Sequence, residues 1–267
     1  MTELTPAASL AWKIGAAEAN ASRHAFIERG HFLIGLLSLS KVVHDEPPGL
    51  ELPQKVKEAV GRENARVEEL LLRLGLRGTV LRRALRSAMG IGEHEPDGRP
   101  ISRSASLRLA FRRARALAKG GPVDCVHLIA AVLEQPDAPL ARALAEAQAQ
   151  AQDIYKHALA SSEEEAASQQ DAGRALQTLL EPLLQSLREK HGVALRVTPE
   201  SSAFVVEQAG SGAAPIGLEQ ALERWVRAPL EALAAKGTLG KLKHKAWQLV
   251  YDEGGLYWLP DRDPDAR

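Results

Sequence analysis

Cys125 and His127 stand two residues apart, and their types are those of a nucleophile and its base. They lie in the run VDCVHLIAAVL, whose apolar density reads as a helix. Residues two apart on a helix do not face each other. Cys125 is therefore read as a small buried hydrophobe. It is the sole cysteine, so the chain forms no internal disulfide and no cysteine-based zinc site. His24, His44, His94, His157, His191 and His244 show no ligand spacing. Phosphate chemistry needs glycines that let backbone N–H groups wrap the phosphates, with a lysine for the outer ones. The nearest string, Gly237 to Lys241, has Ala235 where the first glycine belongs and Leu242 where Ser or Thr belongs. Leu249 to Glu253 imitates a metal-carboxylate strand, but Asp252-Glu253-Gly254-Gly255 reads as a hairpin turn. Catalytic, cofactor-binding and metal-ligating residues are all expected to be absent.

The other chemical feature is a basic interval. It holds Arg73, Arg77, Arg82, Arg83, Arg86, Arg99, Arg103, Arg108, Arg112, Arg113 and Arg115, opposed by Glu93, Glu95 and Asp97. No aromatic interleaving or reading helix is apparent, so the interval is read as a solvated face or a surface for an acidic protein partner. Net charge is zero over the whole chain, which argues against a general nucleic-acid binder.

Which elements hold these residues follows from an internal repeat. Residues 4–37 and 101–133 align with one gap, placing Ala8-Ser9-Leu10 on Ala105-Ser106-Leu107 and His31 on His127. Each copy opens on a small polar residue, Thr5 or Ser102, suited to cap a helix. A long Ala-rich helix follows, then a break, then a short apolar helix after the histidine. Equivalence of His31 and His127 favours a structural role at a helix start. Apolar spacing predicts further helices at 62–74, 79–89 and about 139–159. Residues 1–159 thus read as one all-helical domain of two similar halves. Residues 160–172 are polar and read as a linker, flexible or a solvated helical spacer.

From 173 to 260 the pattern becomes mixed. Leu176, Leu179, Leu180, Leu183, Leu184 and Leu187 mark a helix face that Pro182 should kink or restart. Gly192 ends it. Residues 193–197, 246–251 and 256–259 read as strands, and Thr198-Pro199 opens a helix. The fold class is mainly α: an all-helical double repeat plus a small α/β domain with about three strands. Residues 261–267 are a tail. No apolar run suits a membrane span, and no signal peptide is evident, so the reading is a soluble cytoplasmic protein.

Both regions resemble parts of the Clp family of AAA+ unfoldases and disaggregases. GHFLIGLL and VHLIAAVL are similar to the His-and-apolar mark of the family's N-terminal double repeat, although Gly30 and Val126 replace its acidic residue. LLQSLREKHGVALRVTPESSAFVVEQ, LERWVRAPLEAL and WQLVYDEGGLYWLP resemble the C-terminal small domain. The ATPase large domains are missing between them. The resemblance also implies a nucleotide-reading arginine within residues 210–218, where this chain places Ala214 or Ile216. It implies a non-enzymatic accessory without cofactor: an adaptor, regulator or chaperone accessory. The N-terminal domain would take a peptide or partner protein, and the C-terminal domain would dock on a Clp-type ring or self-associate. The alternative is a truncated unfoldase subunit whose ATPase activity is supplied in trans. Leu4, Thr5, Ile101 and Ser102 stand at the family's partner-binding helix starts. Tyr257 and Trp258 are added because strand alternation turns neighbouring aromatics to opposite faces.

Overall fold

A computed structural model describes residues 3–45, 52–95, 100–192, 194–210, 217–238, 246–252 and 255–260. Ala214, Ile216, Lys241, Leu242, His244, Glu253, Arg99 and the tail lie outside them. The chain forms two compact units, 1–164 and 165–267, and is mainly α with a small α/β part.

Thr5 opens the first unit as the N-cap of α1 (Pro6–Ala21), its Oγ1 accepting from the Ala8 N–H at 3.2 Å, with Pro6 at the first turn. Strand β1 (Phe26–Ile27) leads into the apolar α2 (Arg29–Leu36), followed by α3 (Leu39–Asp45). Next come α4 (Gln54–Arg73) and α5 (Gly78–Met89). The second half repeats the order with β2 (Ser102–Arg103), α6 (Ala105–Leu117) and α7 (Cys125–Leu133), then α8 (Ala138–Glu146). Phe32, Leu33, Ile34, Leu36, Leu128, Ile129 and Leu133 are fully buried, so α2 and α7 form the centre of the core. Glycines let α1 and α2 approach closely. A Cβ on Gly35 would overlap the Ala11 carbonyl oxygen, and one on Gly15 would sit 3.0 Å from the His31 oxygen.

The halves are stitched reciprocally. The start of the first pairs with the second: Leu4 bridges Val123 in parallel, and the Thr5 N–H donates to the Val123 oxygen at 3.1 Å. The start of the second pairs with the first: Ser102 lies opposite Phe26 and Arg103 opposite Ile27. The first unit is therefore not purely helical, as these short pairings join its halves.

The repeat register also differs from the sequence alignment. Ser104, not Ser102, caps α6, accepting from the Leu107 N–H at 3.2 Å. Ser102 is held in β2, and the Ser104 N–H donates to the Ile27 oxygen at 3.1 Å, so the helix begins later. Thr5 thus corresponds to Ser104. The copies differ by a shorter first helix, 13 residues in α6 against 16 in α1.

One helix was expected over 139–159, but α8 stops at Glu146. Gln148 turns with φ +53, and α9 (Ala151–His191) begins afresh. Helix α9 runs through 161–172 and through Pro182. Proline removes one helix hydrogen bond, and the buried Leu176, Leu180 and Leu187 of the same helix retain the packing that holds it. Gly192, at φ +68, ends it, its N–H donating to the Arg188 oxygen at 2.8 Å.

In the second unit β3 (Ala194–Val197) pairs in parallel with β4 (Ala246–Asp252), and β4 pairs antiparallel with β5 (Gly255–Pro260). Helices α10 (Pro199–Gly210), α11 (Gly217–Leu222) and α12 (Ala228–Ala235) complete it. Helix α11 passes into α12 through a π-helical turn, Glu223–Arg227. Trp247, Leu249 and Trp258 share the core face with Leu195.

Candidate protein-binding site

At the helix starts a carboxylate joins the two halves. Thr5 Oγ1 donates to Glu63 Oε2 at 3.0 Å, and the Cys125 N–H donates to the same oxygen at 3.0 Å. Burial raises the Glu63 pKa above its ordinary value, against the lowering pull of these donors. Burial also pushes the Cys125 thiol well up, and Glu63 adds to it. The thiol is fully buried, and a protonated, inaccessible sulfur is no nucleophile.

His127 sits at N3 of α7. Its Nδ1 lies 2.6 Å from Asp124 Oδ1, and its Nε2 lies 3.0 Å from Ser162 Oγ. The Asp124 N–H also donates to His127 Nδ1, at 3.4 Å, closing a capping box at the start of α7. Burial pushes the Asp124 carboxyl up, but hydrogen bonds from His127, with the nearby charges of His127 and Arg66, leave its pKa below the ordinary value. Arg66 Nη1 donates to Asp124 Oδ2 at 3.0 Å. Asp124, His127 and Ser162 thus have the order of a Ser-His-Asp triad. Ser162, however, lies within α9, where the helix ladder consumes the backbone N–H groups that an oxyanion hole would need. The first half repeats the pattern at α2: the Glu28 N–H donates to His31 Nδ1 at 3.1 Å, and Ser22 Oγ lies 3.3 Å from Nε2. Both histidines therefore finish helix starts. Burial and the neighbouring His24 lower the His31 pKa to about 4, with Glu18 opposing. Among the described residues no group of three or more His, Cys, Asp or Glu side chains is placed to hold a metal ion.

The residues expected to bind a partner occupy three settings. Leu4 and Ile101 are half-buried against the core, and the Thr5 hydroxyl is committed to Ala8 and Glu63. Ser102 is exposed in β2. Each pair is tied to the other half's segment before the histidine, Leu4 to Val123 and Ser102 to Phe26. Trp258 is corrected from a binding residue to a core one. It is 6% exposed, and its Nε1–H donates to the Val226 oxygen at 3.2 Å. Its neighbour Tyr257 is 48% exposed and Leu259 50%. Cross-strand register puts Tyr257 beside Val250 and Leu259 beside Gln248, on the sheet face turned away from Trp247 and Leu249. Strand β5 also forms one edge of the sheet. Tyr251, on the core face, stacks on Phe204 at 4.8 Å.

Sequence reasoning missed Arg29, which is 7% exposed at the start of α2. It reaches into the second half and donates to the carbonyls of Ser106, Val132 and Gln135. A cation at the end of α7 complements that helix dipole. Its signal was faint: one arginine before an apolar run.

No family model matches the chain, and no curated protein matches it. A solved structure described as "Preliminary structural investigations of a malarial protein secretion system" aligns with it at 15% identity. The alignment covers 61% of this chain and 97% of that one, with a TM-score of 0.43, too low to support a functional argument. Among the described residues no helix is long and apolar enough to cross a membrane.

Proposed function

We propose that the chain is a non-enzymatic, cytoplasmic protein-binding accessory related to Clp ATPases, with a peptide-binding first unit and a docking second unit. The observation that carries this reading is the open sheet face of the second unit. Tyr257 and Leu259 project there from an edge strand with half their surface in solvent, and Val250 lies beside them. Large apolar side chains grouped on an open sheet mark association surfaces, and an edge strand offers unpaired backbone groups. The sequence reading supports the non-enzymatic part, since the phosphate loop is absent and Ala214 or Ile216 stands where the resemblance expects an arginine.

The test is sedimentation velocity, alone and with a Clp-type ATPase ring, comparing the wild-type chain with Tyr257→Lys/Leu259→Lys. Wild type is expected to self-associate or to co-sediment with the ring. The double variant should do neither while keeping its helical circular dichroism. A monomeric wild type that ignores the ring, or binds ATP at micromolar concentrations and turns it over, refutes the reading.

A further inference from the structure

Three arginines of the basic interval are neutralised by carboxylates in the fold. Arg73 pairs with Glu69 at 2.8 Å, Arg86 with Glu18 at 2.6 Å, and Arg113 with Glu134 at 2.8 Å. Arg82 donates to the Leu37 oxygen at 3.4 Å. Four others differ. Arg103, Arg108, Arg112 and Arg115 line one hollow of about 340 Å³ with Phe111, and among the described residues none of the four pairs with a carboxylate.

Two of these charges, those of Arg103 and Arg108, are held in place without being cancelled. The Arg103 guanidinium lies 5.2 Å from the Trp12 ring centroid and 5.1 Å from that of Phe111. Ring faces orient a guanidinium while leaving its N–H edge open for an anion. Arg108 Nη1 donates to the Arg103 oxygen at 2.7 Å, which fixes the side chain and keeps its charge. Arg108, Arg112 and Arg115 stand at i, i+4 and i+7, one face of α6. The aromatic pairing that the sequence seemed to lack is therefore present, with Trp12 supplied by α1 and Phe111 from within the interval itself.

The geometry points to this hollow as a binding site for an acidic peptide segment, its carboxylates forked by the arginines. Guanidinium forks match carboxylates two hydrogen bonds at a time. The α6 arginines span roughly 10 Å along the helix axis, which suits acidic residues a helical turn apart. A nucleic acid gains affinity from many neutralised phosphates along a long basic stripe. Here the charge is confined to one short face, and Arg113 beside it is already paired with Glu134. The inference deepens the protein-binding reading above and rests on it for the class of partner.

Fluorescence polarisation on the full chain tests it. The probes are a fluorescein-labelled peptide with glutamates at i, i+4 spacing, its lysine counterpart, and a labelled single-stranded oligonucleotide of equal length. Wild type is expected to bind the acidic peptide saturably and the lysine peptide negligibly. Arg112→Glu and Arg115→Glu should each weaken acidic-peptide binding at least about tenfold. Arg83→Glu, an exposed site outside the hollow, should change it by less than about twofold. Three results overturn the inference: no acidic-peptide binding by wild type, equal loss in Arg112→Glu and Arg83→Glu, or tighter binding of the oligonucleotide. None of these touches the docking reading, because the Tyr257/Leu259 variant is judged by sedimentation with no peptide present.

Discussion

His31 gives the first unit a pH-dependent stability whose size follows from its setting. The ring is 1% exposed, lies 4.5 Å from that of His24, and has its pKa lowered from an ordinary 6.5 to about 4. Above pH 6.5 the ring is neutral in both folded and unfolded chains, so the full stability is present. As pH falls below 6.5 the unfolded chain takes up a proton that the folded one refuses until about pH 4. Each pH unit in that window removes about 1.4 kcal/mol, for a total of about 3 kcal/mol. The perturbation is His31→Gln, which cannot titrate and whose side chain at N3 still reaches the Glu28 N–H. Urea denaturation followed by far-UV ellipticity is run on both proteins at about pH 7.5 and about pH 5. Wild type should lose about 2 kcal/mol more than the variant between these values. The difference isolates His31 even where the two units melt separately. Equal losses in the two proteins would refute the buried, neutral imidazole.

Three substitutions probe the core of the same unit, and denaturation at neutral pH reads each. Gly35→Ala drives a methyl group into the Ala11 carbonyl and should cost about 3 kcal/mol or more; a loss below about 1 kcal/mol would mean that α1 and α2 are not in close contact. Arg29→Met strips its donors from the carbonyls of Ser106, Val132 and Gln135 and should cost about 2–4 kcal/mol; an unchanged midpoint would count against that anchor. Glu63→Ala leaves the Thr5 hydroxyl and the Cys125 N–H without their shared acceptor and should cost about 2 kcal/mol, which Glu63→Gln should partly restore.

The two histidine-led apolar helices were legible because a buried run and a fixed N3 residue leave a mark that survives divergence. The register was less so. Matching Ala-Ser-Leu letters pulled the alignment two residues away from the cap at Ser104, since two serines separated by one residue are equally good caps on paper. The front of α4 was missed because Gly61 interrupts the pattern, although Val60 is fully buried. Residues 161–172 carry no large apolar side chain, so periodicity falls silent there. Only the helix propensity of Ala, Glu and Gln pointed to a continuous α9. The arginine hollow was illegible for another reason. Eleven arginines in a row of sequence look alike until the fold pairs some with Glu18, Glu69 and Glu134 and brings Trp12 from α1 beneath Arg103.

The crossed pairings at the helix starts bear on what either half would be alone. Leu4 finds Val123 only in the other half, and Ser102 finds Phe26 only in the other half. A chain carrying one half keeps a leading segment and a receiving strand that do not meet each other. A second copy supplies both, with the leading segment of each laid on the receiving strand of its twin. The fold has the connectivity of a twofold homodimer whose protomers have been fused end to end. Separately expressed halves are thus expected to assemble as twofold pairs, and mixing the two halves should yield the native combination in preference to either pair.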